Sequence, residues 1–203
     1  MPDIRYDNFI PTYILQNKEM TKLSKRSLSR LILAALFTAL TCVCTMAIPI
    51  PTPTGGYVHP GDCFVILAGV FLGPVLGGLA GGIGSMLSDL FLGYMVYVPA
   101  TFVIKFLAAF TVGSIFVATR SFANSFAKKN VVIIASGICS SIIVIIGYFL
   151  FEWLLTSNAL SAAISGITGN IAQGVASIIF STLLYHVLEK IMVSLNMTTQ
   201  IQK

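Results

Sequence analysis

Residues 62–92 read DCFVILAGVFLGPVLGGLAGGIGSMLSDLFL, and the fold turns on whether this stretch is one long helix or two. Its only charged residues are Asp62 and Asp89, so an apolar surrounding suits it either way. Gly73-Pro74 interrupts it. Proline has no N–H to donate and sits best in a first helical turn, so a new helix opening at Pro74 is the natural reading. A short span Asp62–Gly73 then precedes a full-length one, Pro74–Leu92.

The rest of the chain repeats this apolar character. Of 203 residues, 56% are hydrophobic and only 9% charged, with a mean hydropathy of +0.91. Soluble domains carry about 25% charged residues, and a water-facing exterior could not be made from this composition. A bilayer removes that demand, at roughly 20 apolar residues per crossing. Further spans are expected at Ser29–Ile48, Pro99–Ala118, Val131–Leu155 and Gly169–Leu188, with three prolines in Pro49–Pro53 ending the first. The segment Thr156–Thr168 is small and polar. The expected fold class is all-α, a polytopic membrane protein built as a six-transmembrane-helix bundle.

Charge decides between five spans and six. Cytoplasmic segments collect Lys and Arg. Eleven of the twelve basic residues lie in three places: Arg5, Lys18, Lys22, Lys25, Arg26 and Arg30 before the first span; Arg120, Lys128 and Lys129 after the fourth; Lys190 and Lys203 at the end. Six spans put all three on one side, with both termini cytoplasmic; five would split them. The organisation is a cytoplasmic tail 1–27, a membrane domain 28–190 and a cytoplasmic tail 191–203. Arg26 and Arg30 before an apolar run imitate a secretory leader, but the run is long and no small-x-small cleavage site follows. Residues 1–19 are polar and aperiodic, and read as a disordered tail or as sequence upstream of a true start at Met20.

Small residues recur every fourth position, Gly69, Gly73, Gly77, Gly81 and Ser85, a pattern that lets helix backbones approach closely in lipid. No GxGxxG cradle or GxxxxGK[ST] phosphate loop is present, and neither a nucleic-acid partner nor a cofactor is expected. Cys42, Cys44, Cys63 and Cys139 form no CxxC pair and have no histidine cluster, so they read as apolar packers, with no metal site. Ala35 and Ala39 give the first span its own small-xxx-small pair, suited to internal packing or to docking another membrane subunit.

Charge inside a bilayer is costly and usually functional or paired. With six spans, His59, Asp62, Asp89, Lys105, Glu152, Asn170 and Gln173 all map to the outer half of the membrane. Tyr57, Tyr94, Tyr97, Tyr148 and Trp153 cluster at the same level. Interfacial preference accounts for some of these aromatics, and Lys105 could simply pair with Asp89 or Glu152 between helices. A ligand pocket with aromatic walls and few polar anchors explains more of them together. Asp62, Asp89, Glu152 and Lys105 sum to −1 when ionised, which favours a flat neutral or weakly cationic ligand. A self-sufficient carrier would show inverted repeats, which are not evident. An enzyme would need a nucleophile beside a base, for which His59 with Asp62 is the sole near-sequence candidate.

Tyr57-Val-His-Pro-Gly-Asp-Cys-Phe-Val-Ile-Leu-Ala-Gly69, Leu72-Gly-Pro74, Gly81-Gly-Ile-Gly-Ser85, Ser88-Asp89-Leu90, Pro99-Ala-Thr-Phe-Val-Ile-Lys105 and Gly169-Asn-Ile-Ala-Gln173, in this order, resemble the substrate-binding S component of energy-coupling-factor vitamin transporters. The pattern is most similar to the subgroup associated with pyridoxine-type vitamins or hydroxymethylpyrimidine, which has also been labelled riboflavin transport. The resemblance implies high-affinity capture of a vitamin beneath the loop Pro49–Pro60. It also implies docking to a transmembrane coupling subunit through Ala35 and Ala39, toppling in the membrane, and energy from two cytoplasmic ATPase subunits.

Overall fold

The structure, a computed structural model, describes residues 12–51, 57–155 and 160–194. Among them are six helices, α1 Thr12–Ala47, α2 Asp62–Leu72, α3 Pro74–Leu92, α4 Val98–Ala118, α5 Phe126–Leu155 and α6 Leu160–Ser194, and two short strands, β1 Ile50–Pro51 and β2 Tyr57–Val58. Three helices begin earlier than the apolar pattern indicates. The hydrophobic window of α1 is Ser27–Ala47, yet the helix already runs from Thr12, within the expected tail. Hydropathy marks the part of a helix that meets lipid. The preceding Lys, Glu, Met and Leu residues are good helix formers that continue it beyond. The same holds for α5 before Val131 and α6 before Gly169.

At Gly73 the chain reverses. Its φ of 82° is open to glycine without steric cost, and Pro74 starts α3 directly after it. A Cβ on Gly77 would lie 2.6 Å from the Ala68 carbonyl oxygen, and one on Gly81 would lie 3.2 Å from Val65. α2 and α3 are therefore antiparallel, and residues 62–92 are two helices. Gly113 of α4 lets that helix reach the same turn, since a Cβ there would sit 2.5 Å from Pro74 N.

The six-helix bundle is as expected, and its second helix is the short one. Five helices are long and apolar enough to cross a membrane, while α2 has 11 residues, about 16 Å at 1.5 Å per residue. It occupies the centre of the bundle, with every residue except Phe64 buried. The connection before it, expected to be irregular, carries an antiparallel pairing of Ile50 with Val58 and Pro51 with Tyr57. Pro51 is tolerated because the ladder is two strands wide and has free edges.

The outward surface is apolar, with Leu154, Phe126 and Leu183 all more than 60% exposed, as lipid requires and water would not. The half of the bundle containing the turn at Gly73 is closed by packed aromatic rings. Phe37 lies 5.9 Å from Phe71, Phe71 lies 5.4 Å from Tyr185, and Tyr185 lies 6.1 Å from Phe116. Leu33, Ile66 and Ile133 fill the gaps between them.

Candidate functional site

α2 and α4 run side by side, held close because a Cβ on Gly69 would lie 2.5 Å from the Ala109 carbonyl oxygen. Outward from that contact the close spacing brings Asp62 and Lys105 together. Lys105 Nζ lies 2.7 Å from both Asp62 carboxylate oxygens, and Lys105 is fully buried. The partner of Lys105 is thus Asp62, and neither of the two candidates the sequence offered, Asp89 and Glu152. Sequence spacing does not show which helices touch, whereas the glycine at position 69 fixes this pair. Gln173 of α6 completes the group. Its Nε2 donates to Asp62 Oδ2 at 2.7 Å, and its Oε1 accepts from the His59 backbone N–H at 2.8 Å. One buried network thereby ties α2, α4 and α6 to the segment preceding α2, and both charges have the partners that burial demands.

One turn further out lies a cavity of about 20 Å³ lined by Tyr57, His59, Asp89, Tyr97, Thr101, Tyr148, Glu152, Gly166 and Asn170. Tyr57 donates to Asp89 Oδ1 at 2.7 Å, while Asp89 Oδ2 has no hydrogen-bond partner among the described residues. Thr101 and Tyr148 share a hydrogen bond of 2.9 Å. Lys105 Nζ sits 5.2 Å from the Tyr148 ring centroid, so the charged network contacts the cavity wall through an aromatic face. Gly166 allows α6 to approach the Glu152 carboxylate, since any Cβ would collide with it.

Burial pushes the His59 imidazole down to about 4, against the opposing pull of Asp62, so the ring is neutral at pH 7. Its Nδ1 accepts from the Gly61 N–H at 3.2 Å, which leaves the proton on Nε2. Burial first, and Asp89 second, raise the Tyr57 phenol above its ordinary range, so it remains a donor.

Of the residues singled out in the sequence, Tyr57, His59, Asp89, Tyr97, Tyr148, Glu152 and Asn170 line the cavity. Asp62, Lys105 and Gln173 lie beneath it. Tyr94 stands behind Tyr57, with ring centroids 4.6 Å apart. Trp153 does not belong to the group. Glu152 faces inward, the next residue points about 100° round the helix, and Trp153 is exposed on the outer surface. Two lining residues were missed. Thr101 was legible, being one turn before Lys105 on the same face. Gly166 offered no side chain to read.

Several comparisons bear on this arrangement. A family model described as ECF-type riboflavin transporter, S component, matches residues 25–190. A Pyrococcus woesei protein described as an uncharacterized protein in gap 3′ region is 31% identical over 149 residues, 73% of this chain and 93% of that one. A solved structure of the S component of a bacterial ECF transporter superposes with a TM-score of 0.56, at 21% identity, covering 84% of this chain and 98% of that one; at that identity the likeness concerns the fold. The family match takes in every helix of the bundle, so this multi-pass membrane chain belongs to the S components of ECF-type riboflavin transporters, the substrate-binding subunits of vitamin importers.

Proposed function

We propose that the chain captures a small, single-ring vitamin or vitamin precursor, pyridoxine-type or hydroxymethylpyrimidine, at the outer end of the bundle. The observation that carries this reading is the sign of the wall. Asp62 neutralises Lys105 beneath the cavity, and the lining itself holds two acidic side chains, Asp89 and Glu152, and no lysine or arginine. Around them stand hydroxyls, an amide and a neutral imidazole. Such a wall suits a ring rich in hydrogen-bond donors or weakly basic nitrogens and disfavours a carboxylate vitamin. Tyr97 and Tyr148 supply aromatic faces.

Size supports the smaller ligands. Binding sites for small molecules commonly span about 300–1,000 Å³, and this cavity of about 20 Å³ must widen for any vitamin. The least displacement is needed for one ring. Among the described residues, side chains hold the segment that would move to the helices through two polar contacts, Tyr57 to Asp89 and His59 to Gln173. Tyr57 occupies Asp89 Oδ1, where a ligand donor would bind. Capture then consists of ligand replacing Tyr57 on Asp89 while Gln173 reports closure of the segment to the ion pair.

A second reading, riboflavin, is favoured by the description of the matching family. It demands that the three-ring system displace much more of Tyr57–Pro60.

Translocation would use a coupling subunit and two ATPase subunits. Ala35 and Ala39 are exposed and lie along one outward stripe of α1 with Ile32, Leu36 and Val43. That face is open to a second membrane helix that needs close approach. In this reading Ala39→Leu abolishes uptake and leaves ligand affinity unchanged.

The deciding experiment is the melting temperature of the purified protein with pyridoxine, hydroxymethylpyrimidine, riboflavin and biotin. A ligand at 100 times its Kd stabilises by about 2.7 kcal/mol. A shift with the single-ring compounds alone supports the first reading, and a shift with riboflavin alone selects the second. The absence of any shift would overturn both.

A further inference from the structure

At the opposite end of the bundle, where α5 begins and α6 ends, a second cavity of about 270 Å³ is lined by Phe126, Lys129, His186, Glu189 and Lys190. It has no part in the vitamin site. The concentration of Lys and Arg around it marks this end as cytoplasmic.

Its polar groups are organised. Lys129 Nζ lies 2.5 Å from Glu189 Oε1, which also accepts from the Tyr185 hydroxyl at 3.0 Å. His186 Nε2 lies 2.6 Å from Asn130 Oδ1, its Nδ1 is 3.8 Å from Glu189 Oε2, and the Phe126 ring stacks on it at 4.0 Å. Glu189 is thus engaged by Lys129 and Tyr185. Lys190 has no ion-pair partner among the described residues. The cavity therefore carries a surplus of positive charge held on a rigid frame.

The surface leading into it is apolar. Leu183 and Val187 precede Lys190 along one face of α6, and Phe122 and Phe126 flank the start of α5, all strongly exposed. An acyl chain has a path along Leu183 and Val187, and that path ends at the basic cavity. Basic pockets between membrane helices on the cytoplasmic side suit anionic headgroups.

We propose that this cavity binds the phosphate group of an anionic phospholipid, with Lys190 and Lys129 as the cationic contacts and the Leu183–Val187 face as the acyl-chain surface. The occupant is a lipid because the apolar path adjoins the charge; a free phosphate ion would use the lysines alone.

The test is thermal stabilisation of the detergent-purified protein titrated with phosphatidylglycerol, phosphatidylcholine or inorganic phosphate. The wild type, Lys190→Gln, Lys128→Gln and the double variant Lys129→Gln/Glu189→Gln are compared, the last removing the ion pair without leaving a lone charge. Phosphatidylglycerol alone should stabilise the wild type. Its apparent affinity should fall about five-fold in Lys190→Gln, the worth of one lysine near an anionic surface, and remain unchanged in Lys128→Gln, which lies outside the cavity. A weaker response in the double variant is likewise expected. Equal stabilisation by phosphatidylcholine, or equal losses in Lys128→Gln and Lys190→Gln, overturns the site. Stabilisation by inorganic phosphate with none by phosphatidylglycerol overturns the lipid assignment.

Discussion

The two halves of the bundle are built from the same helices on opposite plans. Around the turn at Gly73 the interior is apolar, with Phe37, Phe71 and Tyr185 stacked and Phe116 tilted against Tyr185. At the other end the same helices present Asp62, Lys105 and Gln173 and, above them, Asp89, Glu152 and Asn170. In lipid the apolar half gains little from the hydrophobic effect, because the exterior is equally apolar, and its order comes from close packing. In the polar half every buried group needs a named partner. The first half should tolerate changes of shape poorly and be indifferent to ligand; the second should link stability to binding.

The sharpest break in that contrast is Lys105→Met. It leaves the Asp62 carboxylate buried without its cation and should cost about 3–5 kcal/mol, seen as a lower melting temperature. Adding Asp62→Asn should recover much of the loss, which a purely ligand-binding role for Lys105 would not predict. Next in size, Phe71→Ala should cost about 3 kcal/mol through lost ring packing, with ligand affinity unchanged once the protein is folded. Altered ligand selectivity in that variant would dissolve the division into halves.

Acid should act on the polar half through His59. The folded-state pKa of His59, about 4, lies below the ordinary 6.5. Its contribution is complete above pH 6.5 and is lost as pH falls toward 4, about 2 kcal/mol by pH 5. His59→Gln should flatten the dependence of melting temperature on pH across this window. The smallest effect is expected from Asp89→Asn, which keeps an acceptor for Tyr57 but removes a carboxyl group facing the cavity. Ligand affinity should fall about ten-fold, or ~1.4 kcal/mol, by titration, with little change in unliganded stability. Unchanged affinity would remove Asp89 from the site.

Much of the polar half is legible in the sequence, because charge and amide groups are rare in membrane spans and each one demands an explanation. Asp62, Lys105 and Gln173 stood out individually. Their mutual pairing did not, since it depends on α2 and α4 meeting at Gly69, and a stripe of small residues states only that some helix approaches. Trp153 was misread for a related reason. Depth in the membrane follows from sequence position, but orientation requires the helix phase set by its neighbour Glu152. Gly166 shapes the cavity by lacking a side chain, which no inspection of chemical groups reveals. Helix starts were placed late in α1, α5 and α6 because hydropathy reports contact with lipid and says nothing of the backbone hydrogen bonds that continue past it.

The shortness of α2 has a consequence for where a ligand can be held at all. A helix facing lipid must match the bilayer thickness, but α2 is enclosed by its neighbours and free of that demand. It has 11 residues where α3 has 19, a difference of eight residues or about 12 Å of rise. The central helix therefore acts as a pedestal that stops below the rim of the surrounding cylinder. The His59–Gly61 segment caps the pedestal, and the recess between cap and rim is the site proposed for the vitamin. In such a bundle the room for cargo is set by how early the middle helix ends. Adding a turn at the start of α2 would fill the recess without disturbing the helices around it.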